Sequence, residues 1–187
     1  MKKTFFITFG IIILAVLGVL VWLKARPIQT QTPPPINAQN NMRLLSPAFL
    51  NNQFIPEKYS CDGLGVNPPL DIQGVPPEAK SLVLIVDDPD APSGTWVHWT
   101  LWNIDPTTVG IDENSVPPKA LAGQTSSGQN VYGALCPPSG QHRYFFKLYA
   151  LDAKLSIPTY SLKEDLEKAM SGHIIGQTEL VGLYAKK

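Results

Sequence analysis

The sequence is short of charge, cysteine and histidine, and each shortage removes a class of function. Only 16% of its 187 residues are charged, fifteen of each sign, so it has no basic surface of the kind that nucleic acid requires. Four of the fifteen basic residues, Lys2, Lys3, Lys24 and Arg26, precede Pro27, and all fifteen acidic ones follow it, leaving the remainder at −4. Nucleic acid is not an expected partner. Two cysteines alone do not make a structural metal site. No Gly-x-Ser-x-Gly elbow, no Gly-Lys-Ser/Thr phosphate loop and no His-Glu-x-x-His helix occurs. The usual carriers of serine-hydrolase, P-loop and zinc-protease chemistry are therefore missing. No internal repeat is present.

One long apolar run is present. Phe5 to Leu23 follows Met-Lys-Lys and precedes Lys24 and Arg26. At about 1.5 Å per residue a helix of this run spans roughly 28 Å, close to the ~30 Å of a bilayer core. A cleaved signal peptide has a shorter core and a small-residue cleavage site, so residues 1–26 read as an uncleaved signal anchor. A slight excess of positive charge at the amino terminus favours a cytoplasmic start. The expectation is a single-pass protein of the cytoplasmic (inner) membrane with its domain on the extracytoplasmic side. Residues 27–41, PIQTQTPPPINAQNN, carry four prolines and no charge and read as an extended tether. Residues 42–187 then form one domain, long enough to bury a single core.

Within that domain the organising stretch is Val86 to Ile104, VDDPDAPSGTWVHWTLWNI. Ser81 to Asp87 is apolar on both faces and predicts a central strand. Asp-Pro-Asp then ends the sheet at Asp88, because Asp bonds its own backbone in turns and Pro cannot donate to a ladder. A strand over Thr95 to Ile104 follows, with two-residue alternation placing His98 on the face of Trp96, Thr100 and Trp102. Residues 105–130 read as a long surface loop. GALCPPSG forms a tight turn into a strand on which His142, Tyr144, Phe146 and Leu148 share one face. One helix is expected over Leu162 to Ser171, capped by Ser161 with Glu164, and a last strand over Thr178 to Tyr184. Many short strands with one helix predict an antiparallel sandwich.

Asp88, Asp90, His98 and His142 are the chemically loaded residues. Two imidazoles and a carboxylate suit either a metal or an anion, and no short His-x-His pair favours the metal. Asp88 repels a phosphate dianion, but a monoanionic phosphate group can donate its O–H to the carboxylate while accepting from imidazoles. Backbone N–H groups of the Gly133–Cys136 turn can add donors. The bland alternatives are an Asp-Pro-Asp turn and a core histidine. Arg143, on the strand face opposite His142, is expected to be structural, paired with Asp88 or Asp90. His173 reads as a helix C-terminal cap. Cys61 and Cys136 form a disulfide if the domain is extracytoplasmic, or remain two buried thiols.

DDPDAPSGTWVHW and CPPSGQHRYFFKLYALD resemble the two signature regions of the phosphatidylethanolamine-binding protein family, in particular its bacterial Raf kinase inhibitor-like branch. The resemblance extends from about Leu44 to Tyr184. It implies a mainly β fold, an antiparallel β-sandwich with one C-terminal helix and short helical turns, here preceded by a transmembrane helix. It also implies a small anion cavity lined by Asp88, Pro89, Asp90, Pro92, His98, His142 and Tyr144, with backbone from the Cys136 turn and a phenol from Tyr184 at the mouth. Val97, Ile72 and Ala134-Leu135 depart from the family pattern. The resemblance implies a binding and regulatory module for phosphate or a phospholipid head group, with no cofactor and no metal; the apolar run and tether, which the family pattern does not require, make it membrane-tethered. Imidazolium formation predicts affinity rising as pH falls through about 6.5. The alternatives are a module that inhibits a protease or other envelope enzyme through the 105–130 loop and, less favoured, a phosphoester hydrolase.

Overall fold

The computed structural model describes residues 41–186. The expected anchor, and the tether up to residue 40, lie outside the described residues. Among those described, no helix is long and apolar enough to cross a membrane.

Among the described residues, nine strands form two sheets. Strands β1 (Arg43–Leu45), β3 (Leu70–Gln73) and β6 (Gly110–Ile111) make the small sheet in the order β1-β3-β6. The larger sheet runs β2-β9-β8-β4-β5-β7, built from β2 (Gln53–Phe54), β4 (Ser81–Asp88), β5 (Trp96–Ile104), β7 (Leu121–Ala122), β8 (Gln141–Leu151) and β9 (Ile174–Ala185). All pairings are antiparallel except β2 with β9. A 3-10 turn covers Glu57–Tyr59, and the helix α1 covers Lys163–Met170.

Strand β4 is central because it can be wet on neither face. Leu82, Leu84 and Val86 join Leu44, Ile72, Phe146 and Leu148 in the core between the sheets. Val83 and Ile85 face the other way, against Trp102, Leu166 and Met170 beneath α1. The architecture is thus small sheet, large sheet and helix, each layer burying the apolar face of the next.

Several boundaries differ from the sequence reading, each for a local reason. Helix α1 begins one residue later than expected, and its Leu162 N–H donates to the Asp165 carboxylate at 3.1 Å; the Ser161–Glu164 capping box does not form, and Ser161 is buried. Strand β9 starts at Ile174 instead of Thr178 and pairs with β8 along its whole length. Gly176 disguises this start. A Cβ there would lie 2.8 Å from the Met42 sulfur and 3.1 Å from Pro76 Cγ, so glycine marks a close approach within a strand. The 105–130 segment is not a free loop, because β6 and β7 stitch it to both sheets.

Candidate functional site

Strand β5 does not keep the simple alternation. Val86 opposes Trp99 and Asp87 opposes Val97, which leaves His98 as the extra residue of a bulge. The bulge turns His98 away from the face of Thr100 and Trp102 and onto the side of Trp99 and Tyr144. Its ring meets Tyr144 edge-on at 5.3 Å between centroids. Gly133 locks it there, donating its N–H to the His98 carbonyl at 2.7 Å and offering its own carbonyl to His98 Nδ1 at 2.9 Å. A Cβ on Gly133 would stand 3.3 Å from the His98 carbonyl oxygen. Nδ1 is thereby the protonated nitrogen of the neutral ring, and Nε2 carries the lone pair. Burial pulls the imidazole pKa below its ordinary value, against the opposing pull of the Gly133 carbonyl and of Asp88 and Asp87.

Asp88 ends β4 at the same place. Its Oδ1 accepts the Asp90 N–H at 2.8 Å, closing the Asp-Pro-Asp turn, and its Oδ2 accepts from His142 Nδ1 at 2.7 Å. The turn reading and the site reading of Asp88 therefore hold together. Asp90 looks elsewhere. Its carboxylate takes the Arg143 guanidinium in a fork, at 2.9 Å from Nε and 2.7 Å from Nη2, and also the Arg143 backbone N–H at 2.9 Å. That pairing lowers its pKa to about 2.

A cavity of ≈ 460 Å³ opens where these elements meet, within the usual range of small-ligand sites. Of the residues expected to line it, Asp88, Pro92, His98 and Cys136 do so. His142 stands behind Asp88 and holds it, and Tyr144 stands behind His98. The Tyr144 hydroxyl is buried without a hydrogen-bond partner among the described residues, and burial raises its pKa, so it stays protonated. Pro89 and Asp90 belong to the turn, outside the wall. Tyr184 does not present a phenol at the mouth: its hydroxyl donates to Asp62 Oδ2 at 2.6 Å. The Gly133 N–H is likewise spent on His98 and is not offered to a ligand.

Sequence reasoning missed Ala91, Ser93, Trp96, Ser127 and Pro138 as wall residues, while Gly133 and Ala134 belong to the turn it expected at the site. The Pro-Ser-Gly turns at 92–94 and 138–140 are the available signal, since turns close to a strand end supply such walls. Cys61 and Cys136 are joined by a disulfide across 75 positions. A parallel bridge between Ser60 and Leu135, with the Cys61 N–H on the Leu135 carbonyl at 3.1 Å, supports the same wall. Among the described residues no group of three His, Cys, Asp or Glu side chains is placed to hold a metal ion.

A two-sheet β fold carrying an acid-and-imidazole cavity at a strand end is the class of protein that the structure defines. Comparison with known proteins makes this specific. The model of the phosphatidylethanolamine-binding protein family matches residues 45–185, and the chain belongs to that family. A UPF0098 protein of Methanothermobacter thermautotrophicus is 48% identical over 150 residues, covering 78% of this chain and 99% of the relative. Among solved structures, the phosphatidylethanolamine-binding protein homolog CT736 of Chlamydia trachomatis superposes with a TM-score of 0.76 at 46% identity, over 79% of this chain and 99% of that one. Escherichia coli YbcL, a member of the same family, gives 0.73 at 27% identity, over 78% of this chain and 99% of its own.

Proposed function

We propose that the cavity binds a phosphate-like anion, free or as a phosphomonoester head group of a lipid, in its protonated monoanionic form, and that the protein acts by binding and regulation without turnover. The observation that carries this reading is the pairing of acceptors in one wall. Asp88, hydrogen-bonded from behind by His142, faces the same ≈ 460 Å³ space as the His98 ring, whose protonation burial disfavours. A dianion meets a carboxylate and a lone pair there, whereas a monoanion brings the proton they can accept.

A phosphomonoester loses its second proton near pH 6, and burial displaces protonation of His98 below its ordinary value. Both effects have one sign: affinity rises as pH falls below about 6. The rise therefore sits lower than the 6.5 that an unperturbed imidazole gives. Titration of the His98 and His142 ring signals by NMR, with and without inorganic phosphate and O-phosphoethanolamine, tests it. Ligand should raise the apparent pKa of His98; superimposable titration curves refute the assignment.

The domain is further proposed to be tethered to the extracytoplasmic side of the membrane by residues 1–26. The support is the Phe5–Leu23 run in the sequence and the Cys61–Cys136 disulfide, a bond that persists in oxidising compartments. Carbonate extraction of membranes and protease accessibility in spheroplasts check both parts.

A further inference from the structure

A second cavity, of ≈ 420 Å³, adjoins the first and shares Ser93 and Trp96 with it. The rest of its wall includes Thr95, Gln124, Thr125, Ser126 and Glu164. Beside the apolar Val97 and Leu162, the wall thus presents hydroxyl, amide and carboxylate groups that donate and accept. Ser126 Oγ already accepts the Val97 N–H at 2.8 Å, which leaves its O–H to donate. The cation in this wall is not on offer. Lys163 Nζ lies 2.8 Å from Glu167 and 3.7 Å from Asp87, so a second anionic group would find no free partner.

Trp96 stands between the two spaces and is 41% exposed, whereas Trp99 and Trp102 of the same strand are sealed in the cores. An indole face left open beside hydroxyl-rich walls suits a ligand with C–H bonds on one side and O–H groups on its rim. The C–H edges meet the negative π face, and the O–H groups exchange hydrogen bonds with the wall.

We propose that the second cavity is a polyol subsite, so that the ligand is a phosphomonoester of glycerol or of a sugar: phosphoryl group beside Asp88 and His98, hydroxylated part across Trp96 toward Thr95 and Gln124. This rests on the anion reading of the first cavity and names the substituent that the anion carries. An ammonium substituent would use the same indole face, but it offers donors only and would leave the hydroxyl donors of the wall unmatched.

Isothermal titration of the full chain at about pH 6, with inorganic phosphate, O-phosphoethanolamine, glycerol 3-phosphate and glucose 1-phosphate, decides among these. At least one polyol phosphate should bind about tenfold more tightly than inorganic phosphate, the worth of one or two added hydrogen bonds. The double substitution Thr95→Val with Gln124→Leu, in side chains that line only the second cavity, should abolish that gain and leave inorganic phosphate affinity unchanged. Equal affinities for inorganic and polyol phosphates overturn the subsite while sparing the anion cavity. Tightest binding of O-phosphoethanolamine overturns it in favour of an ammonium pocket. Failure of inorganic phosphate to bind at any pH between 5 and 7 removes the parent reading instead.

Discussion

Reducing the Cys61–Cys136 bond should cost this domain a large part of its stability with little change in its native shape. The bond joins residues 75 positions apart. In the chain-entropy account a closed loop of that length removes about 15 cal/mol/K from the unfolded ensemble, or roughly 4.5 kcal/mol at 25 °C. For a domain of about 145 residues, with an unfolding entropy of ~2.1 cal/mol/K per residue, that corresponds to a fall of roughly 12–15 °C in Tm. The native state should be spared because its local geometry has other supports. The Ser60–Leu135 bridge, the Cys61 N–H on Leu135, and the Tyr184 hydroxyl on Asp62 hold the same loop by hydrogen bonds. The assay is thermal unfolding of the same preparation before and after a phosphine reductant, followed by near-ultraviolet circular dichroism. Near-identical spectra at 25 °C with the large drop in midpoint are expected. A drop below about 4 °C would refute the reasoning, showing that the unfolded chain is not the state the bond restrains.

Two further outcomes follow from the packing and the charges. Leu166, buried under α1 against Val83, Ile85, Trp102 and Met170, should lose about 3 kcal/mol as Leu166→Ala, read as a lower urea midpoint at unchanged slope; a loss under ~1 kcal/mol means that the short helix collapses into the gap. Arg143 holds the Asp90 carboxyl pKa at about 2, below its ordinary 3.8, so the pairing stabilises fully above the unfolded value and is lost as pH falls through the folded one. Arg143→Ala should therefore lower the thermal midpoint slightly at pH 7, by a deficit that shrinks steadily as pH falls toward about 2; a deficit that stays constant into acid assigns Arg143 a packing role over Phe145 instead.

The parts of the fold that were legible in the sequence are those where one chemical demand governs a stretch. Ser81 to Asp88 could only be a strand buried on both faces, and the Asp-Pro-Asp turn had to end it. The single helix showed its apolar stripe and its Gly172 stop. The places that misled are those where a tertiary contact overrides the period. Alternation put His98 with Thr100 and Trp102; one inserted residue, opposite no partner on β4, sent it to Tyr144. The bulge's cause lies 35 residues away at Gly133, where no local pattern reports it. The family resemblance places Tyr184 at the cavity mouth, and it does pair with His142 across the strands. Its hydroxyl, however, answers to Asp62, next in sequence to the disulfide-bonded Cys61. The proline-rich 105–130 stretch looked loose because two-residue strands leave almost no period to detect.

Asp87 and Asp88 are neighbours in the chain but live in separate surroundings. Asp87, fully buried, is clasped by Lys147 at 2.8 Å and approached by Lys163 at 3.7 Å on the helix side, while Asp88 takes His142 on the other. A one-step slip of β4 against β8 would swap the two carboxylates, sending one away from its ammonium partners and the other away from its imidazole, and would invert the Leu-Val alternation as well. The terminal dipeptide therefore works as a key that fits its two locks in a single alignment, and the wall of the cavity inherits its placement from a charge arrangement on the far side of the sheet.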